Sequence, residues 1–184
     1  MSFLPGLELA METRKSIEVD IITSSHWITG MIFPGARGLF SHMNMPTESS
    51  IEIESGELST LFKRSQSAER FGRMWLVKRE IVAMLVGNRV GLGPSNVVRA
   101  GYTKPFPHSV RVFLEGFELY GKIHSVGRFE FRTLIIEGDS PFTPLYDARI
   151  QSILFPKAQA DAAALLFNRK RVQALTLIPA EPQS

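Results

Sequence analysis

Cysteine is absent from all 184 residues. That one absence excludes disulfides, thiolate metal sites and cysteine nucleophiles together, and it fits a reducing compartment. Long apolar runs are lacking as well. None approaches the roughly 18 residues that a membrane helix needs, so no membrane partner is expected. The first residues carry Glu8 and Glu12 where a signal peptide would be apolar, with no basic leader before them. A cytoplasmic protein is the expectation.

Catalytic patterns are missing too. The four histidines, His26, His42, His108 and His124, include no H-x-x-x-H pair that would put two imidazoles on one helical face. Gly87 to Gly93 holds three glycines without the lysine-serine pair of a phosphate-binding loop, and no serine stands in a G-x-S-x-G elbow. His42-Met43-Asn44-Met45 offers soft-metal donors, yet methionine more often fills irregular cores. No enzymatic activity, metal or cofactor is therefore expected.

What is present is an ordinary globular composition, 44% hydrophobic and 21% charged, and a repeat. Gly30 to Leu85 lies over Gly121 to Thr176 at a constant offset of 91, which matches Gly30 to Gly121, Arg37 to Arg128, Phe40 to Phe131 and Ala83 to Ala174. A unit of this size is a small domain, longer than the roughly 20 to 50 residues of a solenoid repeat. Charge divides unevenly between the copies. Residues 16–85 hold 7 Lys/Arg against 8 Asp/Glu and residues 109–178 hold 9 against 7, while 86–108 carry Arg89, Arg99 and Lys104 with no acid. An anion-binding surface would involve the connector and the second copy.

The second copy reads most clearly. Val110 to Ile123 alternates apolar and polar residues around Glu115-Gly116, as a hairpin requires. A short helical segment through Phe131, Leu134 and Ile135 follows, then strands over Phe142–Leu154, Ala162–Phe167 and Val172–Ile178. The first copy repeats the plan with Ile17–Thr23, Trp27–Phe33, a short helix, Ser50–Phe62, a polar turn from Ser65 to Gly72, Arg73–Val77 and Ile81–Val86. Short sequential strands cannot easily leave both edges bare, which favours closure. The expected fold is mainly β: two tandem small, strongly bent five-stranded barrels, each with a short helix. Residues 1–86 form the first repeat with an N-terminal arm, 87–108 a breaker-rich linker, and 109–184 the second repeat with a C-terminal tail.

Val110 to Ile123, in the form V-x-V-x-L-x-G-x-x-L-x-G-x-I, resembles the opening hairpin of the Sm-like barrel fold shared by Sm proteins and the bacterial RNA chaperone Hfq. The basic break Asn168-Arg-Lys-Arg stands where that family has a short 3₁₀ turn. Ser24-Ser25 replaces the hairpin glycine in the first copy, and the helical segment lies between the second and third strands instead of before the first. The arrangement also resembles bacterial proteins built of duplicated small β-rich domains. The Sm-like resemblance implies ring assembly, with a tandem pair closing a pseudo-hexameric ring as a trimer.

The candidate binding residues are the basic groups that recur in both copies: Lys78 and Arg79, and Arg169, Lys170 and Arg171, with the matched pair Arg37 and Arg128. With Trp27, Trp75, Tyr102 and Phe106 as stacking faces, they supply cations for phosphates and planes for bases, which points to single-stranded RNA or DNA. The alternatives are that these cations solvate turns and protect strand edges, and that the chain is a scaffold assembling into homo-oligomers or recruiting a protein partner. Trp75 matches Leu166 and is expected in the core.

Overall fold

A computed structural model describes residues 15–63, 68–93 and 105–179. The N-terminal arm, part of the Ser65–Gly72 turn, the linker positions Arg99, Tyr102 and Lys104, and the end of the tail lie outside the described residues.

Each copy contributes five strands. The first has β1 (Ile17–Thr23), β2 (His26–Ile32), a short helix α1 (Gly38–Met43), β3 (Ser50–Thr60), β4 (Glu69–Val77) and β5 (Ile81–Val86). The second has β6 (Phe106–Leu114), β7 (Phe117–Ser125), a wide helical turn (Arg132–Glu137), β8 (Phe142–Ser152), β9 (Gln159–Asn168) and β10 (Val172–Leu177). Strand β4 begins at Glu69, inside the stretch expected as a polar turn, because Glu69 and Arg70 pair with Leu58 and Glu57 of β3. Likewise β6 reaches back to Phe106, which pairs with Ser125.

All ten strands form one open antiparallel sheet in the order β10-β6-β7-β8-β9-β5-β1-β2-β3-β4. The halves have the same internal order: β4-β3-β2-β1-β5 in the first and β9-β8-β7-β6-β10 in the second. They join where the fourth strand of the second copy pairs with the fifth strand of the first, Ala83 against Phe167 through Val86 against Ala164. Two apolar clusters are centred one on each half and cross the junction: Ile22, Trp27, Leu61, Val82, Ala83 and Leu85 join the second-copy cluster, and Phe142, Ala164 and Leu166 the first-copy cluster.

The ladders refine the repeat. Thr29 faces Glu57 where Tyr120 faces Arg149, so β3 and β8 correspond at an offset of 92, not 91. The second copy gains one residue in the loop before β8 and returns to 91 after the next turn, where Glu57 faces Arg70 and Arg149 faces Asp161. Loops accept such changes because no ladder passes through them. The shifted strands keep a common bulge: Ser55 and Asp147, matched at the corrected offset, hold φ of 49° and 47°. Opposite the bulges stand Gly30 and Gly121. A Cβ on Gly30 would come within 2.5 Å of Ile53, and one on Gly121 within 2.7 Å of Leu145 and 2.8 Å of the Tyr146 carbonyl. These matched glycines admit the third strand of each copy.

Candidate functional site

The recurrent basic residues separate into two kinds. Lys78 and Arg169, one offset apart, open the short 3₁₀ turns Lys78–Glu80 and Arg169–Arg171 and are 7% and 8% exposed. Lys78 Nζ donates to the His42 carbonyl at 2.7 Å, and Arg169 donates to the Gly138 carbonyl. In both copies the cation thus pins the end of the helical segment to the turn between the fourth and fifth strands. Burial lowers the pKa of Lys78 against the opposing pull of Glu48, and lowers that of Arg169 against Asp139.

Arg171 joins the copies. Its guanidinium donates to the Arg79 carbonyl at 3.1 and 2.9 Å and meets Glu80 at 3.2 Å, with Glu115 at 3.8 Å. Arg79 extends to Glu80 at 3.0 Å with its side chain mostly in solvent. Lys170, Arg37 and Arg128 are exposed. The structure therefore brings Arg79, Glu80 and Arg171 together, with Lys170 beside them in the chain. Of the stacking faces, Trp27 is buried and donates its indole N–H to Asp20 at 3.0 Å, Trp75 and Phe106 are exposed, and Tyr102 lies outside the described residues.

A second pair of inter-copy contacts uses amides that sequence reading passed over. Asn44, just after α1, accepts from the Phe142 N–H at 2.8 Å and donates to the Phe142 carbonyl at 3.1 Å. Asn168 donates to the Ile81 carbonyl at 3.0 Å while accepting from Lys170 N–H. Arg89, from the expected linker, ion-pairs with Asp147 on the β8 bulge, where Lys122 approaches at 3.2 Å. Hydrogen bonds from Arg89 and then Lys122 hold the Asp147 carboxyl below the usual carboxylate range. Tyr146 stacks on His124 beside it, with centroids 4.5 Å apart. Among the described residues no group of three His, Asp or Glu side chains is placed to hold a metal ion, and no helix is long and apolar enough to cross a membrane.

The feature that most distinguishes the surface is the pair of outer strands, β4 and β10, each of which has a partner on only one side among the described residues. At the internal junction Leu166 and Phe167 are fully buried, as are Ala83 and Met84. At an offset of 91 their counterparts are Trp75 and Leu76 on β4, and Ala174 and Leu175 on β10. Trp75 is 64% exposed, which corrects the expectation that it lies in the core. Trp75 pairs with the exposed Glu52 on the face opposite Ile51 and Ile53, whereas Met74 and Leu76 of the same strand turn to the core. Val77, Leu177 and Ile178 are exposed at 42%, 49% and 40%.

No family model, curated protein or solved structure matches this chain.

Proposed function

We propose that the chain is a structural protein that assembles head to tail through its sheet edges. The observation that carries this reading is the internal junction. It pairs a fourth strand with a fifth strand, and the two edges left free are one fourth strand, β4, and one fifth strand, β10. Repeating the same ladder between chains sets Ala174 against Leu76, Leu175 against Trp75, Thr176 against Met74 and Leu177 against Arg73 of the next copy. Glu69 and Arg70 of β4 then fall outside the pairing, and Met74, Trp75 and Leu76 fall inside it with Arg73 at its end. Unpaired apolar edges are a liability that soluble proteins otherwise blunt.

Such a contact is heterologous and either closes or grows into a fibre. Closure as a trimer, six repeats in a ring, is the proposed outcome. Each half is then a strongly bent, barrel-like five-stranded unit of Sm-like type with one short helix. An apolar cluster centred on each half supports that unit, although both clusters draw residues from the other half. The test exploits the lack of native cysteine. A chain carrying Thr176→Cys and Met74→Cys, at opposite edges of the sheet, should form covalent oligomers on oxidation that collapse under reductant. Thr176→Cys with Arg70→Cys should not. Equal ladders from both pairs, or none from the first, would refute the register.

Single-stranded nucleic acid on the turns is the second reading, supported by the solvent-facing Arg79, Lys170, Arg37 and Arg128. A salt-sensitive mobility shift with single-stranded RNA tests it.

A further inference from the structure

Two hairpin tips carry large apolar side chains where tips are ordinarily polar. Phe62 follows β3, and Ile153, Leu154 and Phe155 follow β8. Phe62 and Leu154 occupy matched positions at the offset of 92 that relates those strands. The sheet brings both tips to one rim, where the rings of Phe62 and Phe155 meet edge to face with centroids 6.1 Å apart. Even so, Phe62 is 74% exposed, Leu154 73% and Ile153 54%.

Edge pairing does not account for them. The internal junction buries Met84 and Leu166 completely and leaves Phe62, beside that same junction, open to solvent. A further copy added at either edge by the same ladder would leave the next tip equally open. Lys63 and Lys157 flank the apolar residues and are exposed, and the exposed Glu115, beside Ile153 through the Gly116 carbonyl, lies 3.8 Å from the Arg171 guanidinium. The clefts beside α1 and along β1 are lined by other residues. Exposed apolar side chains with a lysine on each turn suit a deformable apolar phase beneath an anionic surface, where the aromatic and aliphatic groups enter and the ammonium groups remain at headgroup level.

We propose that this rim docks the protein peripherally on anionic lipid bilayers. The expectation of no membrane partner came from the absence of an apolar run long enough to span, and surface docking needs no such run. The two turns meet through Phe62 and Phe155, so each chain presents one joined apolar patch before any assembly.

The test is co-sedimentation at low salt with phosphatidylcholine vesicles and with vesicles of equal phosphatidylcholine and phosphatidylglycerol. The protein should pellet with the mixed vesicles, and tenfold or more weakly with the neutral ones or in high salt. Phe62→Glu with Leu154→Glu should reduce binding at least tenfold, with the far-ultraviolet circular dichroism and the oligomeric state unchanged. Val90→Glu, at another exposed apolar position, should leave binding intact. No pelleting with mixed vesicles, equal pelleting with both lipids, or full binding by the double variant would each overturn the proposal.

Discussion

Trp75 offers the sharpest test of edge assembly, because its counterpart Leu166 performs the same packing inside the chain. With 64% of the residue exposed and about 200 Å² for the side chain, pairing would remove roughly 130 Å² from water, worth about 3 kcal/mol per junction. Trp75→Ala should therefore weaken each junction about a hundredfold. Sedimentation velocity over a concentration series reads this directly, as a shift of the oligomer-to-monomer midpoint. The thermal melt of the monomer should move little, since an exposed edge residue contributes little to the folded chain. Leu166→Ala should do the reverse, costing about 2 to 5 kcal/mol of folding stability because it opens a cavity in a closed junction. A wild-type chain that stays monomeric throughout the series, or a Trp75→Ala chain that assembles as the wild type does, refutes the reasoning.

The remaining expectations concern the interior and the turns. Lys78→Met and Arg169→Met should each lower stability by about 1 to 3 kcal/mol in denaturant titrations, since each strands a carbonyl that the buried cation now satisfies. Arg79→Ala with Lys170→Ala should leave the melt unchanged and weaken any salt-sensitive shift of single-stranded RNA by tenfold or more, since both side chains face solvent. Gly121→Ala should cost about 1 to 3 kcal/mol, visible as a lower Tm, because the new methyl meets Leu145 and the Tyr146 carbonyl. Burial holds the pKa of His42 below 6.5 despite Glu48, and burial, aided by Arg89, does the same for His124. The unfolded chain then takes up protons first as pH falls, so stability should drop from about pH 6.5 down through the folded values. Asparagine at both positions should flatten that part of the stability profile.

The strands were legible because their alternation survives in both copies: β1 and β5 run where the pattern places them, and Gly116 turns the β6–β7 hairpin at φ 78°. The one-residue slip at β3 and β8 was not legible. A compensating gain and loss on either side of a strand leaves the apolar blocks of an alignment nearly in phase, and only the ladder partners show it. The single sheet was hidden for a related reason. Which fourth strand meets which fifth strand depends on space, and Leu166 and Trp75 look alike in sequence although one is covered and the other bare.

The basic turns show how recurrence misleads. Equivalent cations at Lys78 and Arg169 suggested a shared binding surface, but what repeats there is a contact inside each copy, from the turn to the carbonyl ending the helical segment. Duplication preserves whatever the fold of one unit requires. Features that serve the pair appear in one copy only, as with Asn44, Asn168 and Arg171, whose counterparts in the other copy lack the same polar groups: Val77 stands for Asn168, and Glu80 for Arg171. The junction between chains would therefore lack the Asn168 hydrogen bond, set Val77 near Val172, and carry Thr176 and Arg73 where the internal junction has Leu85 and Ala164. It should accordingly form and release with concentration, whereas the internal junction holds as part of the fold.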